Sequence, residues 1–130
     1  MWALMDAAER ELNKGTHAAA VKQYEKAMDL VPEPRKEQPA ALSLMQSIAE
    51  AYYLAKKYPE ALRYFQESQA YIGGKDMLTT NLRLGQLYFE LGEKDKARQE
   101  LQYVLDQQGE GFFNAEGDGK YLAFLKEANG

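Results

Sequence analysis

Four groups of residues have types and spacings that could do chemistry, and each stops short of a working site. Asn114-x-Glu116-x-Asp118-Gly119 places oxygen ligands at alternate positions before a glycine, as a calcium loop begins. The position that should close the loop with a bidentate Glu is Leu125, so a helix N-cap at Asp118 is the plainer expectation. Gly119-Lys120 resembles the end of a phosphate-binding loop, but Asn114 stands where its first glycine belongs. Tyr121 replaces the hydroxyl residue that would hold magnesium. His17, the one histidine, begins a helix just after Gly15-Thr16 with no recognisable Ser, Cys or carboxylate partner, and reads as a surface residue. Glu9, Glu50 and Glu90 recur at similar places along the chain. Catalytic carboxylate pairs need environments that push their pKa values apart, and these lie away from the apolar stripe of their helices, as solvated charge. The expectation is a non-enzymatic chain with no catalytic residue, no metal and no cofactor.

Composition narrows the field in the same direction. The chain has 130 residues with no cysteine, which excludes a disulfide framework, thiolate zinc sites, iron–sulfur clusters and thiol catalysis. Twenty acidic residues against sixteen basic ones give a net charge of -4, opposed to the clustered cationic face that nucleic acid requires. The start, Met1-Trp2-Ala3-Leu4-Met5, is apolar but meets Asp6, Glu9 and Arg10, so it lacks the basic start and longer apolar core of a secretory signal. No apolar run approaches the roughly 18 residues that cross a bilayer. A cytoplasmic protein that binds neither nucleic acid nor membrane is expected.

The elements that must position any site come from internal repetition. Ala20, Tyr24, Ala27 and Pro32 share their spacing with Ala61, Phe65, Ser68 and Gly73, and with Ala97, Leu101, Val104 and Gly109. Upstream of the second and third sets lie further stripes of helical period, Met45-Ile48-Ala49-Tyr52 and Asn81-Leu84-Gly85-Tyr88. The first set is preceded by Leu4, Ala7 and Ala8, with Glu11 where the others have Tyr. Turns are marked by Asn13-Lys14-Gly15, Lys57-Tyr58-Pro59 and Leu91-Gly92-Glu93-Lys94. Helices are predicted over 2–13, 17–31, 40–56, 59–72, 77–91, 94–107 and 118–128. Ala8, Ala49 and Gly85 are expected to face Ala20, Ala61 and Ala97 where paired helices cross closely, with Tyr24 and Phe65 filling the space between hairpins.

With these residues in view, the chain resembles the tetratricopeptide repeat family, stacked helix–turn–helix units of about 34 residues. The match is carried by Gly15–Pro32, Ala49–Phe65 and Gly85–Ala97. It departs at an insertion around Pro34-Arg35-Lys36-Glu37-Gln38-Pro39, at two extra residues near Gly73-Gly74-Lys75-Asp76, and at Glu11. The resemblance implies one all-α domain over residues 1–130, a right-handed superhelix of three hairpins (approximately 1–33, 42–74 and 78–110) closed by a capping helix at 118–128.

It also implies a groove lined by the first helix of each pair. In this register the groove holds Met5, Glu9 and Leu12, then Gln46, Glu50 and Tyr53, then Leu82, Arg83, Gln86, Phe89 and Glu90. Tyr53, Leu82 and Phe89 lie off their core stripes. They either form a contact surface for a partner or are covered by the C-terminal helix or the Phe112-Phe113 loop. The Lys and Asn clamp by which some family members hold a C-terminal carboxylate is missing, since only Arg83 finds a counterpart. The expected function is therefore a non-catalytic interaction module holding a neutral-to-basic, partly apolar protein or peptide segment. A dedicated small chaperone or immunity-type protein masking one toxin or effector is the alternative, and pairing of two copies through Trp2 is a further possibility.

Overall fold

A computed structural model describes residues 2–75, 77–114 and 119–129. The chain falls into two compact units, Met1–Asp76 and Met77–Gly130. Among the described residues both are entirely helical. The first holds α1 (Trp2–Asn13), α2 (His17–Asp29), a 3₁₀ turn (Arg35–Glu37), α3 (Pro39–Leu54) and α4 (Tyr58–Ser68). The second holds α5 (Leu78–Glu90), α6 (Lys94–Gln108), the short α7 (Gly111–Asn114) and α8 (Lys120–Asn129). α1–α2, α3–α4 and α5–α6 are helix–turn–helix hairpins, and α2 also packs along α3.

The three hairpin turns share one backbone geometry. A residue in the left-handed region, Gly15 (φ 83°), Lys56 (φ 62°) or Gly92 (φ 83°), follows each first helix. The next residue, Thr16, Lys57 or Glu93, donates its N–H back five residues to the carbonyl of Glu11, Tyr52 or Tyr88 at 2.8–2.9 Å. This is a Schellman-type closure, which glycine favours because a Cβ is strained at positive φ. The second turn was expected at Lys57-Tyr58-Pro59 with its helix running to residue 56. The helix instead ends at Leu54, and Lys56 takes the position that glycine holds in the other two turns. Pro59 falls within the first two residues of α4, where its missing N–H costs nothing.

Small residues set the helix spacing. Ala8, Ala20, Ala49, Ala61 and Ala97 are all fully buried. At Gly85 a Cβ would stand 2.6 Å from Leu101 Cγ and 3.3 Å from Glu100 Cβ, so Leu101 rather than Ala97 is the residue that requires glycine. The difference has a simple cause: long helical side chains lean toward the N-terminus, and Leu101 reaches back over the turn that Ala97 begins. In the first unit Tyr24 fills space beside Leu44, Met45 and Ile48 of α3, as its spacing suggested.

α4 stops at Ser68, four residues before its predicted end. Past Ser68 the ladder tightens to i→i−3 bonds from Gln69, Ala70 and Tyr71, and the N–H of Ile72 then leaves it for the Lys36 carbonyl of the inserted segment at 2.7 Å. Gly74 then closes the turn, its N–H on the Tyr71 carbonyl at 2.9 Å, and a Cβ there would lie 2.0 Å from the Ser68 oxygen. The predicted glycine-rich stretch after Gly109 contains the single turn of α7, and residues 115–118, including most of the calcium-like pattern, lie outside the described residues.

Two substitutions should move stability in opposite directions. Gly85→Ala, normally favourable inside a helix, should destabilise by about 1–3 kcal/mol through overpacking against Leu101. Lys56→Gly should stabilise by about 1 kcal/mol by relieving the left-handed backbone. Urea midpoints at constant m-value check both.

Candidate functional site

The sequence-selected residues fall on three stripes of identical spacing. Met5, Glu9 and Leu12 lie along α1, Gln46, Glu50 and Tyr53 along α3, and Leu82, Gln86 and Phe89 along α5. Intervals of four and three residues keep each trio on one helix face.

In the first unit these side chains remain partly accessible. Met5 and Leu12 are half-buried against the core, Glu9 is exposed, and Gln46, Glu50 and Tyr53 are half-buried. The Tyr53 ring lies tilted against Tyr58, with centroids 5.9 Å apart. Tyr24 of α2 is buried in the core shared with these helices. Burial, and then the nearby Glu9 carboxylate, raise its hydroxyl above the ordinary value, while a hydrogen bond with Ser47 pulls the other way. The Tyr24 hydroxyl therefore lies near both α1 and α3. Sequence reading named Tyr24 as a spacer only. An aromatic followed by Ser47 on the next helix was the available signal, and it carries no spacing rule.

In the second unit the corresponding stripe is covered. Leu82 is 4% exposed and belongs to a cluster with Leu101, Val104, Phe113, Tyr121 and Leu125. Phe89 meets Tyr121 and Phe124 edge-on, at centroid distances of 5.4 and 5.1 Å. Lys94 Nζ sits 3.7 Å from the Phe89 centroid and 5.4 Å from that of Phe124. Gln86 is fully buried, and its Oε1 accepts from Arg83 Nη1 at 2.7 Å. In unit 2 the C-terminal helix supplies the cover: α8 packs against Leu82 and Phe89, leaving Leu82 buried and Phe89 half-buried. Phe113, from the stretch expected to be a loop, joins the same cluster.

Glu90 is the polar node of this arrangement. Its Oε1 receives Lys120 Nζ at 2.5 Å and the Tyr121 hydroxyl at 3.0 Å. Burial alone would raise its pKa, but those hydrogen bonds and the charges of Lys120 and Lys94 outweigh burial and lower it. The carboxylate reads as a tether for α8 rather than as the solvated charge expected of it.

Elsewhere a cavity of about 230 Å³ opens between α2 and α3, lined by buried Val21 and Ala51, by Tyr52, and by His17, Lys22 and Lys57. It is smaller than the ~300–1,000 Å³ typical of small-molecule sites. Among the described residues no three His, Asp or Glu side chains are grouped to hold a metal ion. No helix among them is long and apolar enough to cross a membrane.

Because Glu90 has a lowered folded pKa, its contribution should be present above its ordinary value of 4.5 and lost as pH falls through the folded value. Glu90→Gln should cost about 1 kcal/mol at neutral pH, given the partly exposed Lys120. The gap between wild type and variant in urea midpoint should close on acidification; a gap independent of pH down to full protonation contradicts the tether.

Comparison with known proteins agrees with this geometry. Residues 1–71, which span α1 to α4, match the tetratricopeptide repeat family. The chain is also 32% identical over 92 residues to tetratricopeptide repeat protein 21A of Homo sapiens. That alignment takes in 71% of this chain and 7% of the relative, so the chain spans a small part of that protein's length. Such repeats generally mediate protein–protein interaction and are generally non-enzymatic. The matched segment, the relative and the three hairpins closed by one recurrent turn together place the chain in the tetratricopeptide repeat family.

Proposed function

We propose that this chain is a non-catalytic interaction module that holds a peptide or helical segment of a partner protein on the α1 and α3 faces of its first unit. The observation that supports this reading most is the pair of equivalent stripes, Met5-Glu9-Leu12 and Gln46-Glu50-Tyr53, left half-buried or exposed beside the Tyr24 hydroxyl. Each stripe offers apolar contact and one carboxylate, and neither contains a cation. The ligand favoured by that chemistry is neutral to basic and partly apolar, with Tyr53 as the aromatic anchor and Gln46 fixing orientation by hydrogen bonds. Arg83, on α5, is not required for this reading.

The test separates apolar anchoring from mere charge attraction to an acidic chain. A fluorescein-labelled amphipathic Leu/Lys helix and its Leu/Glu counterpart are titrated by anisotropy. The Leu/Lys helix should bind, and Tyr53→Ala should weaken it about tenfold, roughly 1.4 kcal/mol, with helicity by circular dichroism unchanged. Glu50→Lys should weaken it further and flatten its salt dependence. Equal binding of the Leu/Glu helix, or indifference to Tyr53→Ala, sinks the assignment.

A further inference from the structure

The cavity of about 230 Å³ between α2 and α3 lies apart from the interaction stripes. On α3 its lining includes Ala51 and Ala55, which share one helix face. At 3.6 residues per turn that face is roughly opposite the Gln46-Glu50-Tyr53 stripe. Small side chains make the recess: Ala18 of α2 and Ala51 and Ala55 of α3 stand where longer ones would fill it, and buried Val21 adds apolar surface. Tyr52 supplies an aromatic wall, and its ring is held against Tyr64 at a centroid distance of 5.6 Å. Burial, and then the neighbouring Tyr64, Glu25 and Glu60, raise the Tyr52 hydroxyl above its ordinary value despite Arg63, so it stays a protonated donor.

The remaining lining is charged or polar. Lys22 and Lys57 are exposed, and among the described residues neither is held in an ion pair. Glu25 is the one carboxylate in the same lining. Two ammonium groups against one carboxylate leave a single positive charge uncompensated, which suits a single negative charge. His17, expected from the sequence as a plain surface residue, is half-buried here and offers a ring nitrogen for hydrogen bonding. Size limits the occupant further. An apolar cavity of about 150 Å³ takes up benzene, so this one has room for one ring or a short branched chain, though not for a larger ligand.

We infer that this cavity is a binding site for a small organic monoanion, one apolar ring or short branched chain bearing a carboxylate. The apolar part lies against Tyr52, Val21 and Ala51, and the carboxylate is met by Lys22 and Lys57. Every lining residue belongs to α2, to α3 or to the turn into α4, so an occupant ties these elements together and stabilises the first unit by mass action. The site is on the other side of α3 from the partner-binding stripe, takes a ligand of opposite charge, and does not rest on that reading.

The test uses the full chain with para-fluorobenzoate as the probe, titrated by fluorine NMR, and para-fluorobenzylamine as its cationic counterpart. The benzoate should bind saturably, at about 1 mM or tighter, with amide shifts centred on Ala18, Val21, Ala51 and Ala55, and the amine should bind at least tenfold more weakly. Lys22→Gln with Lys57→Gln, both at exposed positions, should weaken the benzoate about tenfold. Ala18→Leu, which fills the recess, should abolish its binding. If Ala18→Leu lowers helicity by circular dichroism, the lysine pair carries the comparison by itself. Equal affinity for the amine, indifference to the lysine pair, or amide shifts centred elsewhere overturns the proposal. So does uptake of a peptide ending in phenylalanine without uptake of the benzoate, which assigns the recess to the chain terminus of a partner protein.

Discussion

The close approach of paired helices is the constraint on which the rest of this structure depends. Side chains no larger than a methyl group stand at Ala8, Ala20, Ala49, Ala61 and Ala97, and none at all at Gly85, where Leu101 lies against the helix backbone. Interiors are packed to crystal-like density, so a helix pair held this close has few alternative registers. In the first unit the stripes of α1 and α3 remain partly accessible, and in the second α8 packs against the stripe of α5.

The turns show how one geometry tolerates different residues. Gly15, Lys56 and Gly92 occupy the same left-handed position and support the same return hydrogen bond, although only glycine adopts it without strain. Packing of α3 against α4 holds Lys56 there, as tertiary context commonly overrides local preference. The inserted segment has a similar effect at a distance. Once α4 has ended at Ser68, the Lys36 carbonyl takes the Ile72 N–H, and Gly73 and Gly74 follow. Two departures from the repeat pattern that look independent along the chain are thus one feature in space.

Charge is used differently in the two units. Glu9 is exposed on α1 and Glu50 half-buried on α3. Glu90, at a similar place in its own hairpin, is consumed within the chain by Lys120 and Tyr121. Lys94 reinforces the same junction by lying over Phe89 beside Phe124. Glu90 departs from a solvated carboxylate because α8 brings Lys120 and Tyr121 to it.

The residues alone determined the class of the fold, because helical periodicity, small residues at fixed intervals and turn glycines are local properties that recur and can be counted. They located α1, α2 and α6 closely and placed a helix over most of α8, and they selected the three equivalent stripes as the places where contact chemistry could lie. They did not reveal that Leu82 and Phe89 are covered, that Glu90 is bound, or that Tyr24 meets Ser47. Each of those depends on which surface lies opposite, and residues 30 apart, such as Glu90 and Lys120, are paired by no periodicity. Tertiary structure also drew the Ile72 N–H to the Lys36 carbonyl and set the left-handed turn at Lys56, because a distant carbonyl and a packed helix pair impose conformations that local propensity does not specify.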